Sequence, residues 1–114
     1  MNDIEKFIKA TTGDATTYSG VLRPRIYCID GDSVSIQANS GAYCTPRVSG
    51  AAHYYEVEAG FPSSVPPVTW EEYAEDWGED GTETVYGYMP VEVAQDYLDE
   101  HGGIDWEKTG VADG

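Results

Sequence analysis

The chain has no basic residue between Arg47 and Lys108, and this absence is its most informative feature. Of its 114 residues only 6 are Lys or Arg, against 21 Asp or Glu, which gives a formal net charge of −15. Residues 1–47 hold equal numbers of acids and bases, so the whole net charge lies in residues 48–114. Self-repulsion opposes a compact fold. The charge therefore indicates a pressure other than folding, either solubility or a basic partner.

Cysteines and long apolar runs are also scarce. Cys28 and Cys44 form no CxxC pair, which argues against a disulfide framework and against a zinc site. Residues 1–14 carry charges throughout, unlike a signal peptide, and no stretch approaches the roughly 20 apolar residues that span a bilayer. These absences predict a cytoplasmic protein with reduced thiols and no membrane partner. The shortage of Lys and Arg argues against direct binding of nucleic acid.

Aromatic residues, by contrast, are plentiful. The chain has 9 Tyr, 3 Trp and 2 Phe, whereas disordered acidic chains are poor in aromatics. A chain of this length is expected to form one domain. We predict a single α+β domain over residues 1–108 and a frayed tail over residues 109–114.

The N-terminal half reads as a helix followed by a hairpin. Asn2 or Asp3 can cap a helix that buries Ile4, Phe7 and Ile8 and ends at Gly13. Two short apolar runs, Arg25–Ile29 and Ser33–Ile36, flank Asp30-Gly31-Asp32, whose Asp-Gly pair favours a tight turn.

The C-terminal half reads as strand, helix, strand, helix. His53–Ala59 alternates as a strand, and Thr69-Trp70-Glu71-Glu72 forms a capping box for a helix that ends at Gly78. Thr82–Met89 follows as a strand with Tyr86 and Tyr88 facing outward, and Pro90 opens a last helix. The order predicts an α+β fold, with a short antiparallel sheet of about four strands and two or three helices mainly on one face.

The acids after residue 70 recur in pairs every four residues. On a helix they would place one charge per roughly 2–3 Å of axis, comparable to the ~1.7 Å of duplex DNA. The pattern predicts an acidic surface that imitates nucleic acid, although a solvated helix face explains it as well. The expected partner-binding residues are Glu71, Glu72, Glu75, Asp76, Glu79, Asp80, Glu83, Glu92, Asp96, Asp99, Glu100, Tyr86 and Tyr88.

Other chemistry has less support in the sequence. His53 and His101 lie in separate elements with no nucleophile beside them, so we expect no enzyme and no catalytic residue. The segment Asp76–Gly87 fails the calcium-loop pattern because Gly87 stands where a bidentate Glu is required, and Asp30-Gly31-Asp32 is interpreted as a turn. We therefore expect no metal and no cofactor.

Three further expectations concern Cys and Arg residues. Cys28 should be buried, and Cys44 should be exposed in the loop of residues 39–50. The three arginines of the N-terminal half could form an anion pocket, but ion pairs with the protein's own acids are favoured, since those acids need cations nearby: Arg23, Arg25 and Arg47.

The acidic series Glu71–Asp80 and Glu92–Glu100, interleaved with Trp70, Tyr73, Trp77, Tyr86 and Tyr88, resembles the small acidic proteins of phages and mobile elements. Among these are anti-CRISPR proteins that block a nuclease by occupying its nucleic-acid channel. The resemblance implies a non-enzymatic inhibitor in the host cytoplasm, with a basic nucleic-acid-binding protein such as a CRISPR effector as its partner. The alternative is a homo-oligomeric binding module, for example a homodimer, with an aromatic interface and with acids that serve solubility only.

Overall fold

A four-stranded antiparallel sheet with helices packed against it forms the α+β fold that the sequence predicts. The structure is a computed structural model that describes residues 1–11 and 22–111. The strands lie in the order β1-β2-β3-β4, each antiparallel to the next. The elements in chain order are α1 (Asp3–Thr11), β1 (Ile26–Tyr27), β2 (Ser33–Gln37), β3 (Glu56–Gly60), a 3₁₀ helix (Val68–Tyr73), β4 (Val85–Pro90), α2 (Val91–Glu100) and α3 (Trp106–Thr109).

Helix α1 begins with a reciprocal cap. The Glu5 backbone N–H donates to Asn2 Oδ1 at 2.9 Å, and the Asn2 N–H donates to Glu5 Oε1 at 3.1 Å. The pair satisfies two N–H groups that the first turn leaves without helical partners. The predicted inward face is confirmed by the buried side chains of Ile4, Phe7 and Ile8. The predicted stop at Gly13 lies outside the described residues.

The predicted hairpin joins β1 to β2, with Ile26 opposite Val34. Its turn is closed by the Cys28 N–H, which donates to Asp32 O at 2.7 Å. Gly31 has φ 96°, a left-handed conformation that glycine adopts without a Cβ penalty. The Asp-Gly signal therefore located the turn correctly.

The predicted helix after Thr69 is wrong in type and extent. The structure has a 3₁₀ helix that starts after Pro67 without a side-chain cap, and Ala74 beyond it is extended, with ψ 133°. Ala74 forms a bridge with Tyr86, and the Glu75 N–H donates to Val85 O at 3.0 Å. This pairing along the outer edge of β4 takes the backbone groups that an α-helix would use. Tertiary pairing thus overrides the local pattern.

The predicted facing of β4 is also wrong at Tyr86. A bulge lies in the β3–β4 pairing, where Val57 is opposite Met89 but Ala59 is opposite Tyr86. The extra residue in β4 interrupts the two-residue alternation, so Tyr86 and Met89 are both fully buried. Tyr88, with φ 51°, lies in the bulge and stays 45% exposed, as predicted.

Trp70 joins the 3₁₀ helix to the core. Its ring centroid lies 5.1 Å from that of Tyr86 and 5.3 Å from that of Tyr97, and its Nε1–H donates to Val93 O at 2.8 Å. The face of α2 predicted to be buried is confirmed at Val91, Ala94, Tyr97 and Leu98. Trp70 therefore fixes the 3₁₀ helix against α2.

The C-terminal segment packs beside β1. Ile104 is buried as predicted, and Thr109, where the frayed tail was expected to begin, accepts a hydrogen bond on Oγ1 from the Tyr27 N–H at 3.0 Å. Residues 112–114 lie outside the described residues. Cys28 is buried as predicted, but Cys44 is buried too, because its thiol lies under the loop and donates to Asn39 O at 3.2 Å.

Candidate partner-binding surface

Every acid predicted between residues 71 and 83 is exposed. These are Glu71, Glu72, Glu75, Asp76, Glu79, Asp80 and Glu83. Beyond the 3₁₀ helix they lie in an irregular loop rather than on an α-helix, so the helical spacing that suggested duplex DNA is absent. The charge is concentrated along the segment, but it does not follow a regular repeat.

Two aromatic side chains hold this loop in place. The Tyr86 hydroxyl donates to Gly81 O, and the Gly81 N–H donates to Trp77 O at 2.9 Å. A Cβ on Gly81 would lie 2.6 Å from the Tyr86 hydroxyl and 2.8 Å from the Trp77 ring, so the backbone needs glycine for this close approach. A cleft of ≈ 320 Å³ results, lined by Asp76, Trp77, Gly78, Glu79, Asp80, Thr82 and Glu83.

Asp80 remains ionised because its carboxylate accepts hydrogen bonds from the loop itself. Oδ1 accepts hydrogen bonds from Thr82 Oγ1 at 2.6 Å and from the Thr82 N–H at 3.1 Å. The side-chain bond and then the backbone bond hold the pKa of Asp80 below its usual value. Its negative charge is therefore retained at neutral pH.

Carboxylates from three elements converge on Tyr73. Burial, and then the charges of Glu72, Glu56 and Glu92, raise the pKa of its hydroxyl. These acids come from the 3₁₀ helix, β3 and α2, so residues distant in sequence share one region of the surface. A hydrogen bond from Thr69 Oγ1 to Asp96 Oδ2 at 3.0 Å further ties the 3₁₀ helix to α2.

The acids of α2 form a stripe that starts beside this cluster. At 3.6 residues per turn, they fall within a sector of about 100° and extend over about 12 Å. Three of them are exposed and Asp96 is half-buried: Glu92, Asp96, Asp99 and Glu100. We name as the acidic surface Glu56, the seven acids of residues 71–83 and the four acids of α2.

An aromatic groove borders the acidic surface. Its volume is ≈ 370 Å³, and it is lined by Tyr43, Tyr73, Glu75, Val85, Gly87 and Tyr88. The rings of Tyr43 and Tyr88 lie 5.9 Å apart, and the Tyr88 N–H donates to Tyr43 O at 2.8 Å. Sequence reasoning selected Tyr88 but missed this groove, because its walls come from segments about 45 residues apart and no local pattern connects them.

Among the described residues, Arg25 and Arg47 do not pair with carboxylates as expected. Arg25 donates from Nε to Ser33 Oγ at 2.8 Å and from Nη2 to Phe61 O, while the Arg47 guanidinium lies 4.9 Å from the Tyr43 ring centroid. The expectation of ion pairing is therefore wrong for these two residues among the described contacts. Arg23 is buried and donates from Nε to Thr11 Oγ1 at 2.8 Å. For Arg25 and Arg47, hydroxyl, carbonyl and ring contacts take the place of the expected carboxylates.

A second group of acids lies at the β1–β2 turn and faces a histidine. His101 Nδ1 lies 2.5 Å from Asp30 Oδ2 and 3.3 Å from Asp32 Oδ2. The Asp32 backbone N–H, and then the His101 side chain, lower the pKa of Asp30. Beneath them, burial and the nearby charges of Asp30, Asp32 and Asp3 raise the pKa of the Cys28 thiol to about 12. Sequence reasoning placed the turn and His101 in unrelated elements.

His53 lies apart from His101. It is exposed, with its ring 4.4 Å from that of Tyr55. It borders a cavity of ≈ 420 Å³ between α1 and residues 50–54. The two histidines therefore do not form a common site.

Comparison of the chain with protein-family models, with curated proteins and with solved structures gives no match in any of the three. Within the described residues, no helix has the length and apolar character needed to cross a bilayer.

Proposed function

We propose that this protein is a non-enzymatic interaction protein whose acidic surface binds the basic, nucleic-acid-binding groove of a partner protein. The observation that carries the proposal is the run of exposed carboxylates over residues 71–83, which the hydrogen bond from Thr69 Oγ1 to Asp96 Oδ2 places beside the acids of α2. Carboxylates gathered in this way present to Lys and Arg side chains the charge that phosphates would present.

Electrostatics would act mainly before contact. A concentrated negative potential raises the rate of association with a cationic groove, and salt weakens it because exposed charges are screened beyond about 8–10 Å at physiological ionic strength. Rim charges of this kind affect association rate and specificity more than the lifetime of the complex.

The aromatic groove would supply contact area after association. Tyr43 and Tyr88 are 43% and 45% exposed, and tyrosines are among the residues that contribute most at interfaces. Glu75 lines the same groove, so a cationic side chain with an apolar stem, such as Arg, fits its chemistry. This adjacency of rings and carboxylates supports a protein partner.

A guide-loaded Cas nuclease is the specific partner that we propose from the resemblance to anti-CRISPR proteins. The irregular loop means that the imitation would depend on charge density and not on the helical register of DNA. Other proteins with Lys- and Arg-lined grooves satisfy the same chemistry, so the partner class is broader than this one example.

The proposal is tested by competition. Wild-type protein is expected to displace fluorescent target DNA from a guide-loaded Cas nuclease, with a potency that falls as ionic strength rises. The variants Glu72→Gln and Glu92→Gln, which each remove one charge, should each be weaker, and the matched control Glu107→Gln, on α3 at the β1 edge of the sheet, should not. Capture from host lysate at low and high salt extends the test to other basic partners. Salt-independent binding, or equal potency of all variants, contradicts the proposal.

The aromatic groove also favours a second candidate, a homo-oligomer that buries Tyr43 and Tyr88 between copies. Such an interface would bring the carboxylates of two copies together, which opposes association. Sedimentation at low protein concentration distinguishes the two, since a stable dimer that the variant Tyr88→Ser dissociates would support the oligomer.

A further inference from the structure

Three metal-ligating groups meet at the β1–β2 turn, next to the C-terminal end of α2. One ligand atom from each of Asp30, Asp32 and His101 lies within 4.8 Å of the other two, and His101 Nδ1 is 2.5 Å from Asp30 Oδ2 and 3.3 Å from Asp32 Oδ2. One of the donors is an imidazole nitrogen from the end of α2, so the group combines ligand types from two segments 71 residues apart in sequence. Imidazole with carboxylates is a ligand set that suits Zn²⁺ and related transition-metal ions.

Backbone contacts bring the two segments together without the three side chains. The Ile29 N–H donates to Gly103 O at 3.0 Å, and the Asp30 N–H donates to His101 O at 3.3 Å. Gly102 allows this approach, because a Cβ there would lie 3.2 Å from the Ile29 Cβ. The arrangement is therefore a property of the fold and exists before any ion binds.

Each ligand is also oriented by a second hydrogen bond on its other side. Asp30 Oδ1 accepts from the Asp32 N–H at 2.9 Å, and Asp32 Oδ1 accepts from Ser63 Oγ at 2.7 Å. His101 Nε2 lies 3.2 Å from Ser64 Oγ. These outer contacts leave Oδ2, Oδ2 and Nδ1 facing one another, and such supporting contacts are the usual companions of metal ligands.

A shared proton accounts for only part of this geometry. A proton on His101 Nδ1 can be shared in line with Asp30 Oδ2 at 2.5 Å, but Asp32 Oδ2 at 3.3 Å exceeds the ~2.7–2.9 Å of a charge-assisted hydrogen bond. Ligands about 2.0–2.2 Å from a tetrahedral Zn²⁺ are about 3.3–3.5 Å apart. The Asp32–His101 distance already has this value, and the Asp30–His101 distance reaches it with a shift of under about 1 Å.

We propose that Asp30, Asp32 and His101 form a binding site for one divalent transition-metal ion, with Zn²⁺ as the representative ligand. The Nε2–H tautomer of His101 would donate to Ser64 Oγ and leave the Nδ1 lone pair for the ion. Three protein ligands leave a fourth position for water or for a ligand from outside, and the side chains of Asp30 and Asp32 are 44% and 35% exposed. The ion would link the β1–β2 turn to the end of α2.

Calorimetric titration with Zn²⁺ is expected to give one tight site per chain, in addition to weak binding along the acidic surface. The variant Asp32→Asn/His101→Gln should lose at least tenfold in affinity at that site, and Ser63→Ala should lose about tenfold, as contacts to metal ligands commonly do. The matched control Asp76→Asn/Glu79→Gln removes two other carboxylates and should keep the tight site. Mg²⁺ and Ca²⁺ should bind only weakly, since they prefer oxygen ligands.

A second measurement avoids dependence on variants. The chain has only two histidines, so substoichiometric Co²⁺ should broaden the imidazole resonances of His101 while those of His53 stay sharp. Broadening of both or of neither, or a Zn²⁺ affinity unchanged in Asp32→Asn/His101→Gln, overturns the proposal. None of the three ligands is a member of the acidic surface, so a failure here leaves the proposed partner binding untouched, and the reverse holds as well.

Discussion

The carboxylates of this protein occur in two settings that differ in what faces them. On the acidic surface, those of the loop after the 3₁₀ helix are exposed and accept hydrogen bonds from the loop itself, as Asp80 does from Thr82. At the β1–β2 turn, Asp30 and Asp32 face His101 and are supported by Ser63 and the backbone. The first setting projects charge outward. The second directs charge inward and ties two segments of the chain together.

The comparison shows that the net charge of −15 is not one feature with one role. Carboxylates that face an internal cationic or metal-binding group contribute to the fold. Carboxylates without such a group face solvent and repel one another, and only hydrogen bonds within the loop, as at Asp80, tie them to the fold.

The largest effect on stability is expected at Trp70, which attaches the acidic surface to the core. Trp70→Ala should destabilise the protein by about 3–5 kcal/mol, as large-to-small changes of buried aromatics do. Because Trp70 holds the 3₁₀ helix on α2, the variant should also separate Glu72 from Glu92 and lower the raised pKa of Tyr73. Denaturant unfolding and the spectrophotometric titration of tyrosine measure the two effects. A loss of stability with an unchanged pKa of Tyr73 would show that the proximity of Glu72 and Glu92 does not depend on the packing of Trp70.

The next largest effect is a loss of stability at high pH, which we attribute to Tyr86 beside the acidic surface. Burial, and then the charge of Asp80, raise the pKa of Tyr86 to about 12. The folded state therefore favours the neutral phenol, so its contribution to stability is complete below pH ~10 and is lost as the pH rises through 12, at most about 2–3 kcal/mol. Tyr86→Phe should cost about 1 kcal/mol at neutral pH, from the bond to Gly81, and should reduce the loss above pH 10. If Tyr86→Phe lost as much stability above pH 10 as the wild type does, the assignment of this loss to Tyr86 would be wrong.

A smaller effect on stability is expected at low pH. There, Asp30 at the β1–β2 turn can be compared directly with Asp80 on the acidic surface. The pKa values of Asp30 and Asp80 are both lowered in the folded state. Each therefore stabilises the fold above pH ~4, and that contribution is lost as the pH falls through the folded pKa. Asp30→Asn should reduce the pH dependence of unfolding and disturb His101, while Asp80→Asn should reduce it without any effect on the His101 resonances. Identical histidine spectra in the two variants would refute the distinction.

The smallest effect on stability is expected from the acidic surface itself. Glu72→Gln should leave the free energy of unfolding within a few tenths of a kcal/mol or raise it slightly, since it removes repulsion from Glu56 and Glu92. Glu107→Gln serves as the control because it lies on α3 beside β1, whereas the 3₁₀ helix of Glu72 packs beside β4 at the other edge of the sheet. Thermal unfolding at low salt measures the difference. Marked destabilisation by Glu72→Gln would mean that this carboxylate serves the fold.

Local signals predicted much of the fold. The cap on α1, the Asp-Gly turn and the buried face of α2 all depend on residues within a few positions of one another. The errors arose where distant segments meet. Ala74 pairs with β4 and ends the expected helix early, and the bulge opposite β3 turns Tyr86 into the core. Neither pairing has a signature in its own segment.

The candidate sites divide in the same way. The exposed acids of residues 71–83 were predicted because charge is a property of the sequence, while their arrangement in a loop was not. The groove of Tyr43 and Tyr88 and the cluster of Asp30, Asp32 and His101 come from sequence separations of about 45 and about 70 residues. Only the sheet order and the packing of α2 bring these residues together.

The gathering of negative charge into one surface is tested most directly by nuclear magnetic resonance titration of the ¹⁵N-labelled protein with an arginine-rich peptide. The account predicts salt-sensitive shifts in residues 71–83, in α2 and around Tyr73, with little change in α3. Shifts spread evenly over the molecule, including Glu107 and the face of α1, would contradict it.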